Sequence, residues 1–239
     1  MATYNGANYI RDQIDSILNQ DLSAYPDAKM EIIVSDDMSS DETVSILESY
    51  NDTRIKIVPH RQRQRHIYNK AAWACSENFA HALSYATGDY IFLSDQDDIW
   101  YPWKMERALS TLIHNSGGIV GAAFDIGHKK GLINGTIKYK KEPRFQFIRK
   151  HIFYGFTIAF DRSEFKYIHP IPHVPYHDNF ITYVGGFRKK LHIIDEPCAF
   201  HLYTGEHNVS SKKNDMPFLI RNYFRIKLVL IALYRSLIW

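Results

Sequence analysis

Tyr90-Ile91-Phe92-Leu93-Ser94-Asp95-Gln96-Asp97-Asp98-Ile99-Trp100 decides how this chain is read. The apolar run Tyr90–Leu93 has the length and composition of a buried strand, and three carboxylates crowd its end. Packed that closely they repel one another, and each gives up water. A solvated acidic turn is the bland account, but Ile99 and Trp100 follow at once and ask for a packed setting. A divalent cation removes the conflict. Mg²⁺ and Mn²⁺ take oxygen ligands, and Mg²⁺ usually accepts one or two carboxylates plus phosphate oxygens. An Asp-x-Asp at a strand terminus therefore points to a metal that holds a diphosphate.

Upstream of this stretch the chain alternates between two periods. Ile10, Ile14, Ile17 and Leu18 recur at helical spacing. Glu31–Ser35 reads as a strand ending at Asp36-Asp37. Ser39 and Glu42 have capping-box spacing before the apolar face of Val44, Ile46 and Leu47. Arg54–Val58 alternates as a strand and stops at Pro59. Residues 68–87 read as a helix closed by Gly88. Helix and strand thus follow one another three times, which implies right-handed crossovers and a mostly parallel sheet in an α/β fold. Ligands bind at the carboxyl ends of such sheets. Both acidic clusters, Asp36-Asp37 and Asp95–Asp98, fall at those ends and are expected to share one crevice.

Downstream the pattern is less regular. Ile119–Phe124 reads as a strand, 152–160 as a strand interrupted by Gly155, His177–Val184 as a helix start and Leu191–Ile194 as a strand. Lys129–Arg149 is a basic loop, or a hairpin turning at Asn134-Gly135. The net charge is only +3, yet from Lys129 to Lys150 the chain sets Lys129, Lys130, Lys138, Lys140, Lys141, Arg144, Arg149 and Lys150 against Glu142 alone. Such asymmetry suits an anionic partner. Nucleic acid is not the expected one, because no zinc spacing or RNA-binding signature accompanies the charge. Cys75 and Cys198 form neither a disulfide framework nor a metal spacing. The first twenty residues lack the apolar core of a signal peptide, so the cytoplasm is the expected compartment.

At 239 residues and 45% hydrophobic the chain can bury one core, with or without an appendage. Residues 1–217 are expected to form the main domain, with a nucleotide-binding half at about 1–100 and an acceptor half at about 101–217. Residues 218–239 are expected to form a basic amphipathic helix. That segment carries Arg221, Arg225, Lys227 and Arg235 and no acid. Its longest uncharged stretch, Leu228–Tyr234, falls far short of the roughly 20 residues that span a bilayer. It suits a membrane surface, or a terminal helix packed on the domain.

The motifs then align with a known pattern. Ala2-Thr3-Tyr4-Asn5-Gly6 opens it, and Ser16-Ile17-Leu18-Asn19-Gln20 and Ser35-Asp36-Asp37-Met38-Ser39-Ser40-Asp41 follow. Asn78-Phe79 and Gly88-Asp89-Tyr90 precede the acidic stretch, and Gly155-Phe156-Thr157 and His177-Asp178 come after it. In this order the chain resembles the family 2 inverting glycosyltransferases of GT-A fold, especially the rhamnosyltransferase-like branch that builds bacterial surface polysaccharides. It departs from them in three places. The first strand reads as truncated. His60–His66 is basic where the family often has Asn-x-Gly. The late Arg/His motif appears as the diverged His201–Val209.

The resemblance implies a UDP- or dTDP-sugar donor held by Thr3, Tyr4, Asn5, Asp36, Asp37 and Asp95. Arg61, Arg63 or Arg65 would contact phosphate, unless these arginines form only a solvated basic loop. It implies Mn²⁺ or Mg²⁺ on Asp97, with Asp98 a secondary ligand and His201 or His207 a late metal or phosphate contact. Asp178 is implied as the base that takes the proton of an acceptor hydroxyl; its bland role is a first-turn helix acid. Trp100, Gly155, Phe156 and His177 are implied on the side of a glycan or lipid-linked acceptor. The implied location is cytoplasmic, peripheral at the inner face of the plasma membrane. Two other readings stay open: a degenerate, non-catalytic nucleotide-binding or scaffolding member of the fold, and a sugar nucleotidyltransferase. The second wants a Gly-rich basic loop near the N-terminus, which this sequence lacks.

Overall fold

The computed structural model describes residues 1–61, 68–140, 148, 153–203 and 215–238. The first half runs β1 (Ala2–Thr3), α1 (Ile10–Leu18), β2 (Ile32–Asp36), α2 (Thr43–Ser49), β3 (Ile55–Pro59), α3 (Lys70–Tyr85), β4 (Tyr90–Phe92) and β5 (Asp98–Trp100). The second half runs α4 (Lys104–His114), β6 (Ile119–Ala122), β7 (Phe124–Gly127), β8 (Gly135–Ile137), β9 (Ile158–Asp161), α5 (Arg162–Ile168), α6 (His177–Phe187), β10 (Leu191–Ile194), β11 (Ala199–Leu202) and α7 (Phe218–Ile238).

The strands form three sheets, in the orders β1-β2-β3, β10-β6-β9-β4 and β5-β11-β7-β8. The first is parallel throughout, as the alternation in the sequence requires. The other two mix parallel pairs (β6 with β10, β7 with β11) and antiparallel ones. The Ala2 amide donates to the Ser94 carbonyl at 3.3 Å, so β1 lies beside the chain as it leaves β4. The acidic stretch therefore emerges next to the carboxyl ends of β1 and β2. β1 spans two residues, and a cavity of about 130 Å³ lies behind it between β2 and β4, lined by Ile32, Ile33, Phe79, Leu83, Phe92 and Met105 among others.

Four local expectations change. Ser39 does not cap α2: its hydroxyl and amide both bond Asp36, and the Asp41 carboxylate takes the Thr43 amide instead. Gly88 does not close α3, which ends at Tyr85; the Gly88 amide donates to the Glu31 carboxylate. The hairpin after β7 forms, but Gly135 lies in β8. The chain reverses around Lys130 and Gly131, where Gly131 adopts φ 79°, a conformation open to glycine at no steric cost. The fourth change is β5, a strand made from the last acid of the cluster.

α6 is the inner helix of the second half. Phe180, Ile181, Tyr183 and Val184 are fully buried, each worth about 1.5–3 kcal/mol of apolar transfer. Glu164, buried at the foot of α5, receives Arg188 through Nε at 2.7 Å and Nη2 at 3.2 Å, which ties α5 to the end of α6. α7 packs across α6 through the buried Leu228 and Ala232.

Candidate active site

Three backbone segments meet at the carboxyl ends of β1, β2 and β4, and side chains sew them together. The Gln96 amide pairs with the backbone of Tyr4 in both directions: the Tyr4 amide donates to Oε1 at 2.9 Å, and Nε2 donates to the Tyr4 carbonyl at 3.1 Å. A side chain thus replaces a strand partner. Gly6 lies so close that a Cβ there would collide with Gln96. Asn5, at φ 47°, accepts from the Ser40 amide at 2.8 Å, and its own amide donates to Ser39 Oγ at 2.8 Å. The Asn78 amide donates to the Thr3 carbonyl at 3.1 Å.

Within this seam Thr3 and Asp36 are buried and occupied with each other. The Asp36 carboxylate accepts from Thr3 Oγ1 at 3.0 Å, the Ser39 amide at 2.9 Å and Ser39 Oγ at 2.5 Å. The backbone amide of Asp37 donates to the Thr3 carbonyl. Tyr4, 57% exposed, projects from the seam into solvent.

Asp95, Asp97 and Asp98 share a corner short of positive charge. Asp98 opens β5 opposite His201 of β11, and its Oδ1 meets His201 Nδ1 at 2.6 Å. Its other oxygen, Oδ2, is buried without a hydrogen-bond partner among the described residues. Burial, reinforced by the charge of Asp98, pushes the Asp97 carboxyl up to about 7. Burial and the charges of Asp98 and Asp97 push Asp95 well above the usual carboxylate range. Burial works against a proton on His201, but the hydrogen bond and charge of Asp98 outweigh it and hold that imidazole above its ordinary value.

Among the described residues no group of three or more His, Cys, Asp or Glu side chains is arranged to hold a metal ion. The donor set still suits a hard cation. The buried, unpartnered oxygen of Asp98 and the raised Asp97 offer carboxylate oxygens, and a cation of the Mg²⁺ type fills its remaining positions with water and phosphate.

A second group of segments lies within electrostatic reach of this corner. Gly155–Thr157 forms a 3₁₀ turn leading into β9, and α6 begins at His177 and Asp178. A Cβ on Gly155 would stand 2.9 Å from His177 Nε2 and 4.0 Å from Asp178 Cβ, so the two segments touch. The His177 ring lies against Phe79 at 4.3 Å, tilted by 30°, and its backbone amide donates to Ser76 Oγ at 3.1 Å. Asp178 accepts from the Asn179 amide at 2.8 Å, and its charge bears on Asp95 and Cys75. Tyr176, just before α6, sits at φ 71°. Such a backbone is an outlier for a bulky residue, and outliers of this kind gather at functional sites.

Trp100 and Phe156 line no surface. Trp100 is buried between Phe92 and Lys104, and Phe156 is buried with His201 stacked on it at 5.1 Å and 10°. Arg65 and His207 lie outside the described residues.

Lys104 was not foreseen. It is 3% exposed, donates to the Phe156 carbonyl at 2.6 Å and lies 4.1 Å over the Trp100 ring. Burial lowers its ammonium to about 8 against the pull of Asp98, Cys198 and Asp95. The available signal was a lone lysine amid the apolar spacing Met105, Ala108, Leu109 and Leu112, which also marks α4. Asp98, His201, Phe156, Lys104 and Trp100 thereby form a closed circuit between the acidic corner and the 3₁₀ turn.

The whole arrangement is that of a GT-A glycosyltransferase fold. The structure of Staphylococcus aureus TarS 1-349 in complex with UDP superposes with a TM-score of 0.67 at 16% identity, covering 97% of this chain and 63% of that one. The mannosyltransferase PcManGT from Pyrobaculum calidifontis, solved with GDP-Man and Mn²⁺, superposes at 0.60 and 20% identity over 98% of this chain and 72% of its own. In sequence, residues 1–168 match the model of Glycosyl transferase family 2, and the chain belongs to that family. It is 31% identical to the dTDP-rhamnosyl transferase RfbG of Shigella flexneri over 153 residues, 62% of this chain and 48% of the relative. It is 26% identical over 174 residues to WfgD of Escherichia coli, a UDP-Glc:alpha-D-GlcNAc-diphosphoundecaprenol beta-1,3-glucosyltransferase, which is 71% of this chain and 63% of the relative. The chain thus spans about half to two thirds of the length of these relatives.

Proposed function

We propose that this chain transfers a sugar from a nucleotide-diphosphate donor, UDP- or dTDP-linked, to a hydroxyl of a glycan or lipid-linked acceptor, with inversion at the anomeric carbon. The observation that supports this reading is the crowded carboxylate corner beside the β1–β2 seam, with the charge of Asp178 acting on Asp95 within it. The names of the relatives agree, since RfbG uses a dTDP-sugar donor, TarS binds UDP and WfgD acts on a diphosphoundecaprenol acceptor.

In this reading Tyr4, Asn5 and Asp37, with Thr3 and Asp36 behind them, hold the nucleoside. Asp95 approaches the ribose or the metal. Asp97 and Asp98 hold Mn²⁺ or Mg²⁺, with His201 orienting Asp98. When bound, the cation offsets the charge of the departing diphosphate. Asp178 accepts the acceptor's proton as its oxygen attacks, so no covalent sugar–enzyme species is needed. Gly155 and His177 shape the acceptor side. Residues 1–217 form the transferase domain, divided near residue 100, and the work is done in the cytoplasm at the membrane's inner face.

The test is a thermal-shift screen of nucleotide sugars with and without Mn²⁺, followed by an assay of donor consumption. A ligand that binds only the folded state raises its melting temperature. The reading expects a shift for a UDP- or dTDP-sugar that grows with Mn²⁺, and donor turnover. A shift without turnover for any acceptor class would favour the non-catalytic reading. No shift for any nucleotide sugar would remove the proposal.

A further inference from the structure

Three chain segments are joined at the start of α6. Asn69 stands just before α3 at φ 47° and ψ 46°, and Tyr176 just before α6 at φ 71° and ψ 59°. Both backbones are left-handed, and for a residue as bulky as tyrosine that is an outlier. Asn69 Nδ2 donates to the Tyr176 hydroxyl at 2.7 Å, across 107 residues of sequence. The Asn69 backbone amide donates to Asp215 Oδ1 at 2.6 Å, which brings in the stretch ahead of α7. An asparagine before a helix ordinarily turns its side chain onto that helix and accepts from an amide of the first turn. Asn69 makes no such cap, and the start of α6 has no side-chain cap either. A bond between the two helix starts takes the place of the usual local one.

We infer that Tyr176 and Asn69 are positioning residues for the transfer reaction, and that the bond between them fixes the direction in which α6 presents Asp178. The inference rests on the reading of Asp178 as the base. Asp178 lies two residues beyond Tyr176, in the first turn of α6, so a rotation about the Tyr176 backbone swings it. A base must come within about 2.6–3.2 Å of the proton it takes, and a misplacement of about 1 Å can cost roughly a hundredfold in rate. His177 already rests on α3 through Ser76 and Phe79. The Tyr176–Asn69 bond adds a second point at the head of the same helix. One point of attachment leaves a swivel, and two fix a direction. α3 also holds the Thr3 carbonyl through Asn78, so a single helix is the reference for both the base and the nucleoside seam.

Stability alone does not call for this arrangement. Tyr176 and Asn69 are half-buried, so water can replace either partner and loss of the bond costs the fold little. The hold of α6 on the core comes from Phe180, Ile181, Tyr183 and Val184. A strained backbone kept by a specific partner is the mark of a place where one geometry is required.

Steady-state kinetics and hydrogen exchange test this together. Tyr176→Phe removes the hydroxyl and keeps the ring. Its kcat is expected to fall roughly tenfold, with the donor KM and the melting temperature unchanged. Asn69→Gly takes up the same backbone at no steric cost and is expected to lose the same factor. Asn69→Asp can accept from the tyrosine hydroxyl and is expected to keep most of the activity. Tyr176→Phe with Asn69→Gly should be no slower than either alone, because each removes the same bond. Exchange of the backbone amides in the first turn of α6, measured without any donor, should quicken in Tyr176→Phe and Asn69→Gly. The inference falls if kcat is unchanged in Tyr176→Phe, or if its loss comes with an equal rise in donor KM or a drop in melting temperature. It falls if the two single losses multiply in the double variant. It falls too if first-turn exchange is unchanged, a result that does not depend on turnover. Failure of the base reading looks different: Asp178→Asn then turns over like the wild type while exchange in Tyr176→Phe still quickens.

Discussion

Asp97→Asn should make the metal-free protein more stable while it disables the metal site. In the folded chain burial and the neighbouring Asp98 raise the Asp97 carboxyl from 3.8 to about 7. From about pH 4 upward the unfolded chain sheds this proton while the folded chain keeps it. Wild-type stability therefore falls as pH rises toward 7 and levels off above it. The full shift of about three units corresponds to at most about 4 kcal/mol. Asp95 is raised in the same corner and partial solvent access screens the effect, so a gain of about 1–3 kcal/mol is expected for the asparagine at pH 8. For a chain of this length each kcal/mol moves the melting temperature by roughly 2–4 °C. Calorimetric melts in EDTA at pH 4.5 and pH 8, repeated at pH 8 with Mn²⁺, read it directly. The gain should be large at pH 8 and small at pH 4.5, and Mn²⁺ should erase it by stabilising only the wild type. If the variant melts at or below wild type in EDTA at pH 8, the corner is not charge-frustrated and the argument for a cation there fails.

The other substitutions probe the start of α6, the turn beside it and the frame behind them. Asp178→Asn should abolish sugar transfer while the thermal shift given by donor and Mn²⁺ persists; unchanged turnover would remove Asp178 as the base. Gly155→Ala puts a methyl group 2.9 Å from His177 Nε2 and must displace that ring. Turnover should drop by roughly tenfold or more for a stability cost of about 1 kcal/mol, as overpacking usually brings. A variant with wild-type kinetics would show that the contact between the turn and α6 does not set the acceptor side. Arg188→Ala leaves the buried Glu164 without its partner and should cost about 3–5 kcal/mol, whereas Arg188→Met with Glu164→Leu should lie near wild type. Urea titration separates the two, and equal losses would mean that packing, not charge, governs that pair.

Much of the fold could be read from periodicity, and the exceptions share a cause. α1, β2, β3 and α3 each carry enough residues for a period to show, and their order forces the parallel first sheet. β5 is three residues long and begins inside the acidic cluster, so no alternation could mark it. Its strand character comes from β11, about a hundred residues away. The hairpin turn was misplaced because two glycines competed. Asn134 is spent on accepting from the His128 amide, and the positive φ falls to Gly131. At the site, the acids were legible because crowded carboxylates need a reason. Lys104 and Gln96 were not, because both bond to backbone carbonyls or amides that only the fold brings near.

That difference bears on how the site is built. Under the proposed function the corner keeps its carboxylates close while the cation is away, and mutual repulsion opposes this. The chain resists it with groups that do not consume the corner's binding capacity. Gln96 spends its amide on the Tyr4 backbone and so fixes the turn from within. His201 takes one oxygen of Asp98 and leaves the other without a hydrogen-bond partner among the described residues. Lys104 supplies positive charge from behind but gives its hydrogen bond to the Phe156 carbonyl rather than to an aspartate. That carbonyl belongs to the 3₁₀ turn against His177, so the groups around the acidic corner also contact the turn that packs on the start of α6.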